Sequence, residues 1–110
     1  SKIHRATVTG ADLEYTGSVS IDPALCAAVG LREFEKVVVL DIDTGARLTT
    51  YVITGEPGDI CGNGAAARLV QRGDRVIIVA YAQLDEAEAD GFRPKVVIVD
   101  ENNSIVEHLP

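Results

Sequence analysis

The stretch "KVVVLDIDTGARLTTYVIT", Lys36–Thr54, reads as two strands joined at a turn. Lys36–Asp43 is a nearly unbroken aliphatic and β-branched run, the pattern of a buried strand. Ala46–Thr54 returns with the same preference. Between them Asp43-Thr44-Gly45 supplies the turn, with Gly45 at the position that must tolerate unusual backbone angles. A hairpin in the middle of a short chain makes β-structure the frame for the rest.

Working outward, "SIDPALCAAVG" (20–30) predicts a short helix. Asp22 can cap it, Pro23 suits its first position, and Gly30 can end it in the left-handed region. Before it, "IHRATVT" (3–9) reads as a strand and "GADLEYTGS" (10–18) as a loop without periodicity. After the hairpin, "GEPGDICGNG" (55–64) reads as a loop and "AAARLV" (65–70) as a helical turn. "RVIIVAYAQ" (75–83) is an apolar strand, and "DEAEADG" (85–91) an acidic helix or loop. "KVVIVD", "ENN" and "SIVEHL" form a last hairpin. Six strands, two short helices and many turns predict a mainly β fold, a small barrel that closes its own edges.

With 110 residues the chain has room for a single domain, 1–110. Folding at this size buries roughly 60–70% of the unfolded surface, so an oligomer would add needed burial. The net charge of −7 argues against a nucleic-acid partner. An acidic small substrate would require a local positive pocket. Cys26 and Cys61 form no CxxC and no metal-ligand spacing, and read as reduced thiols in a cytoplasmic protein. No apolar run reaches the ~20 residues of a membrane span, and no signal-peptide pattern stands at the front. The chain contains no Met, which reads as a front that has been processed, trimmed or engineered.

"YTGSVSID" (15–22) places Gly17-Ser18 at a turn, just before the alternation of Val19 and Ile21. A serine hydroxyl can attack the carbonyl before it and exchange the amide for an ester. Elimination then leaves dehydroalanine, which hydrolyses to a pyruvoyl group and ammonia. The attack distorts the peptide, and glycine tolerates distortion. A Gly-Ser pair alone is an ordinary loop dipeptide.

Its context is not ordinary. "SKIHRATVTGADLEYTGSVSID", "DTGARLTTY", "GNGAAARL" and "GDRVIIVAY" occur in order along nearly the whole chain. Together they resemble the bacterial aspartate 1-decarboxylases, which make β-alanine for pantothenate synthesis. The resemblance implies a six-stranded double-psi β-barrel, a homotetramer with sites between subunits, and L-aspartate as substrate. It implies cleavage between Gly17 and Ser18, leaving fragments 1–17 and 18–110, with an accessory maturation protein as a possible helper. The cofactor would be a covalent pyruvoyl group made from Ser18, which forms a Schiff base with the substrate amine; neither pyridoxal phosphate nor a metal is expected.

Site residues follow from the same resemblance. Arg47 looks like the arginine that grips a substrate carboxylate, a task that suits a bidentate guanidinium. Lys2 matches a lysine near the site, and Lys2, His4, Arg5 and Arg47 could together form the positive pocket. Tyr51 matches the proton donor, and Thr50 the threonine that contacts the carbonyl before the cleaved bond. As strand neighbours these two should face opposite ways, so both can serve only if the strand distorts or two subunits share the site. Asn63 matches the asparagine that stabilises oxyanion character, and Gly64, Ala65 and Ala66 would present backbone N–H groups to the substrate. The loop before Asn63, "EPGDICG", is shorter than the family's, which leaves the placement of Asn63 to the structure.

Two rival readings stand beside this one. "VVLDIDTGA" is similar to the signature of retroviral-type aspartic proteases, in which Asp43 would be half of a carboxylate dyad. The second glycine motif then comes far too early for that fold. The other rival is an uncleaved, non-catalytic barrel relative.

Overall fold

The computed structural model describes residues 1–110. In chain order the elements are strands β1 (Lys2–Thr7), β2 (Gly10–Asp12) and β3 (Ser18–Ile21), helix α1 (Pro23–Val29), and strands β4 (Lys36–Asp41), β5 (Arg47–Thr54) and β6 (Ile60–Asn63). A 3₁₀ turn (Gly64–Arg68), β7 (Arg75–Val79), helix α2 (Glu86–Ala89), β8 (Val96–Val99) and β9 (Ile105–Leu109) follow. The mainly β expectation holds.

The central hairpin is β4–β5, antiparallel in regular register from Lys36↔Tyr51 to Leu40↔Arg47. Strand β4 stops at Asp41 because the Asp41 side chain takes over the turn. Its Oδ1 accepts from the N–H groups of Asp43 and Thr44 at 2.9 and 3.1 Å. Gly45 follows at φ 79°, as the turn requires. Helix α1 also forms as its sequence punctuation predicts. Asp22 accepts from the Ala24 N–H at 2.8 Å, Pro23 opens the helix, and Gly30 ends it in the left-handed region.

Strands run in the order β2-β6-β3-β5-β4-β7-β1-β8-β9. This order closes on itself, because β1 and β2 belong to one continuous segment, residues 2–12. Its first part pairs with β7 and its second with β6. The change of partner occurs at two adjacent residues. Val8 N–H donates to the Asp74 carbonyl and Thr9 N–H to the Ile60 carbonyl, each at 2.8 Å. Counting residues 2–12 as one strand, the ring has six members, and the barrel removes its edges as expected.

Ring membership differs from the sequence reading in two places. "GADLEYTGS" and "GEPGDICGNG" were expected to be loops, yet they supply β2 and β6. The final hairpin β8–β9 lies outside the ring and extends the sheet from β1. Short segments containing Gly, Asp and Asn carry little intrinsic strand preference; here β6 is held between β2 and β3, and β2 is held by β6.

A single cluster of 19 buried apolar residues fills the barrel and the space under α1, with Ile3, Ile21, Leu25, Ile60, Ile78 and Val97 among its members. One polar residue reaches into this frame from the β8–β9 turn. Asn103 is buried at φ 62°. Its amide donates to the carbonyls of Thr7 and Gly58 at 2.9 and 3.1 Å, and its Oδ1 accepts from the Thr7 N–H at 2.7 Å. It therefore ties the outer hairpin to the ring-closing segment. Asn103→Gly keeps the backbone conformation and removes the clamp. Urea unfolding should show a loss of about 2–4 kcal/mol, from three buried hydrogen bonds and the acceptors left behind. An unchanged midpoint would mean that the closure holds without the clamp.

Candidate active site

Strands β3 and β6 pair antiparallel, with Ser18 directly opposite Asn63 and Ser20 opposite Cys61. Residues two apart share a strand face. Ser18 and Ser20 thus face the same way, as do Cys61 and Asn63. Both central groups are withdrawn from solvent, Ser18 at 1% exposure and Asn63 at 3%. The Asn63 Nδ2 donates to Ser18 Oγ and to Ser20 Oγ, each at 2.9 Å. Ser18 Oγ donates to the Thr16 carbonyl at 3.0 Å. Behind the amide, the Cys61 thiol donates to Asn63 Oδ1 at 3.4 Å. Burial, with the nearby carboxylates of Asp59 and Asp12, pushes the Cys61 thiol up, so the proton for that bond is retained at neutral pH. The result is a directional chain from Cys61 through Asn63 to Ser18.

Gly17 lies immediately in front of this chain, against Gly64. Gly64 has φ 63°, and a Cβ there would stand 2.7 Å from the Gly17 Cα and 2.8 Å from its nitrogen. Only a glycine satisfies both the angle and the contact. The 3₁₀ turn therefore lies flush on the Gly17 backbone. Gly17 itself has open space where a Cβ would be. Its requirement for glycine does not come from crowding in the folded chain.

An open cleft of about 330 Å³ borders this peptide. Gly17, Thr50, Tyr51, Asn63, Ala65 and Ala66 form its walls together with Leu48, Thr49 and Leu69. Its size suits a small metabolite. Thr50 and Tyr51 both reach the cleft, although β5 is regular and they point to opposite faces. Thr50 also borders the apolar interior beside Val19 and Val39. The Tyr51 ring lies outside, 6.1 Å from that of Phe34. The register explains how both serve one place. β3 runs parallel to β5 with Val19 beside Val52, so continuing backwards sets Ser18 beside Tyr51 and Gly17 beside Thr50. The cleft sits where β3 begins and is open to both faces.

Two expected residues are elsewhere. Arg47 is exposed at the start of β5 and does not line the cleft. Lys2 lies on β1, with β4 and β7 between it and β5, and borders a separate cleft beside Tyr81 and Phe92. The positive charges that gather on one chain are Lys2, Arg5 and Arg75, around His4. Burial and then these three cations hold the His4 imidazole below its ordinary range. Arg47 is not among them. The Arg75 guanidinium donates twice to the Arg5 carbonyl, at 3.1 and 2.9 Å, and steadies Arg5 at φ 69° in the irregular middle of β1.

The sequence reading missed Cys61 and Ser20 as members of the site. The signal was present as Ser-x-Ser facing Cys-x-Asn. It becomes visible only once both segments are known to be strands.

A buried serine hydroxyl held by an amide, following an unhindered glycine at the wall of a cleft, is an arrangement suited to attack on its own peptide bond. The aspartate decarboxylase family model matches residues 1–106. Among curated relatives, the aspartate 1-decarboxylase of Clostridium beijerinckii is 59% identical over 108 residues, covering 96% of this chain and 87% of the relative. That of Sulfurimonas denitrificans is 55% identical over 111 aligned residues, covering 99% and 92%. That of Campylobacter jejuni is 58% identical over 105 residues, covering 94% and 83%. Identity of this order along nearly the whole length places the chain in the aspartate decarboxylase family.

Proposed function

We propose that this chain is a self-processing enzyme of the cytoplasm that converts L-aspartate to β-alanine and CO2 for pantothenate synthesis. The observation that carries the reading is Ser18, buried and held by Asn63, directly after Gly17 at the edge of the cleft. No helix is long and apolar enough to cross a membrane.

In processing, Ser18 Oγ bonds to the Gly17 carbonyl carbon and the Gly17–Ser18 amide bond breaks. Asn63 orients the hydroxyl, and Thr50, beside Gly17, is the donor to the carbonyl oxygen as it gains charge. Glycine at 17 lets the peptide bend toward the attack geometry, which its uncrowded ground state does not itself demand. The hydroxyl proton passes to the Ser18 nitrogen as the ester forms. Elimination then expels Gly17 as the carboxylate end of fragment 1–17 and leaves dehydroalanine at 18, which water hydrolyses to a ketone and ammonia.

The residues present fit a pyruvoyl group at position 18: Asn63 and Ser20 supply the polar contacts, and Ala65 and Ala66 leave space in front. Such a group supplies a carbonyl that binds an amine and accepts the electron pair released with CO2. Tyr51, on the cleft wall, holds at its phenol oxygen the proton that returns to the substrate carbon. Gly64, Ala65 and Ala66 turn backbone N–H groups toward the bound anion.

Arg47 and Lys2 complete the site from neighbouring copies in a homotetramer. The placement of both residues away from the cleft of their own chain supports this reading, since an acidic substrate needs a cation that the cleft lacks. Phe34 and Tyr81, each 71% exposed, support association as well.

Variants at three positions test the proposal. Ser18→Ala should remain one piece by intact mass, while the parent splits into residues 1–17 and an 18–110 fragment lighter by one ammonia. A parent that stays whole, or a variant that still splits at this bond, would remove the serine mechanism. Tyr51→Phe should process normally but lose roughly 10²–10⁴ in β-alanine production, the range for a lost general acid. Turnover at the parent rate would return Tyr51 to a packing role. Cys61→Ala frees the Asn63 amide to rotate and should slow processing by roughly 3–10-fold, the weight of one hydrogen bond. Cys61→Ser should restore the rate, and equal rates for Ala and Ser would reduce Cys61 to filler.

A further inference from the structure

Three carboxylates converge where the β4–β5 turn meets the entry to β7. One ligand oxygen from each of Asp41, Asp43 and Asp74 lies within 4.8 Å of the others. Each side chain is locked by backbone donors. Asp41 Oδ1 accepts from Asp43 and Thr44, Asp43 Oδ2 from Arg75 at 3.0 Å, and Asp74 Oδ2 from Gln71 at 3.1 Å. All these donors are main-chain N–H groups, and none is a charged side chain.

The decisive group is Asp41. It is 3% exposed, and its buried Oδ2 has no N–H donor and faces only the Asp74 carboxyl. A buried, unpaired carboxylate oxygen is costly, and a second and third carboxylate beside it raise the cost. A cation removes both penalties at once.

We propose that Asp41, Asp43 and Asp74 form a binding site for a hard divalent cation of the Ca²⁺ type, which fastens the hairpin turn to the start of β7. Carboxylate oxygens are the ligands such an ion takes. Ca²⁺ accepts six to eight oxygens in flexible geometry, whereas Mg²⁺ demands a near-ideal octahedron, so carboxylates already fixed by backbone donors suit Ca²⁺ better. An open cleft of about 430 Å³, bordered by Thr44, Gly45, Gln71 and Asp74, leaves room for the water ligands Ca²⁺ also needs. Arg68 borders the same cleft and is the alternative partner for the carboxylates. The site is structural and separate from the processing chemistry.

The test is thermal unfolding of the processed protein in calcium chloride, against sodium chloride at equal ionic strength and against EGTA. With a Kd on the order of 10⁻⁴–10⁻³ M, ~10 mM Ca²⁺ should raise Tm by roughly 5 °C or more, reversibly. Magnesium should give a smaller shift. Asp74→Asn and Asp41→Asn should each abolish the calcium response; the less buried Asp74 keeps the test readable if Asp41→Asn folds poorly. Equal calcium responses in parent and variants would overturn the site, as would no saturable heat of binding to the parent up to ~10 mM. So would a Tm indifferent to calcium but lowered by Arg68→Ala, which would assign the carboxylates to an ion pair.

Discussion

Two neighbouring backbone N–H groups mark where this fold closes into a ring. Val8 bonds toward β7 through Asp74, and Thr9 bonds toward β6 through Ile60. Because one unbroken segment serves both strands, the sheet cannot remain open. β6 is drawn against β3, and only then does Asn63 come to face Ser18. Asn103, reaching in from the outer hairpin, pins the same segment with two hydrogen bonds to Thr7 and ties it to Gly58 with a third. Closure and the Ser18–Asn63 geometry are therefore linked through one segment.

The site that results is economical. Cys61 orients Asn63, Asn63 orients Ser18, and Gly64 is shaped to lie on Gly17. The Asn63–Ser18 and Gly64–Gly17 contacts join segments distant in sequence, while Cys61 reaches Asn63 through the two-residue repeat of β6. The parallel pairing of β3 with β5 adds Thr50 and Tyr51 at the point where β3 begins. A cleft at a strand start is reached from both sheet faces. That resolves how adjacent residues with opposed side chains can border one space without a distorted strand.

Charge is distributed less locally. The cleft of one chain is walled by hydroxyl, amide and apolar groups, while Arg47 is displayed outward and Lys2 belongs to a cluster with Arg5 and Arg75. The proposed assembly would bring cation and cleft together across copies. The acidic turn at Asp41, Asp43 and Asp74 lines neither cleft that Gly17 or Lys2 borders, and its buried Oδ2 at Asp41 is a separate electrostatic problem in the same barrel.

Several features were legible from the sequence alone. The β4–β5 hairpin, helix α1 with its Asp22, Pro23 and Gly30 punctuation, and β7 are local: apolar runs and cap residues specify them within a few positions. The order of motifs around Gly17-Ser18 also carried the family resemblance. What the sequence could not show was that "GAD" and "ICGN" are strands, because glycine, cysteine and asparagine do not favour extended structure by themselves. The Ser18–Asn63 contact, the Cys61 bond behind it and the separation of Arg47 and Lys2 from the cleft were decided by the tertiary structure. They depend on which strands lie side by side and in what register, and that is set by ring closure between segments some fifty residues apart, such as Thr9 and Ile60.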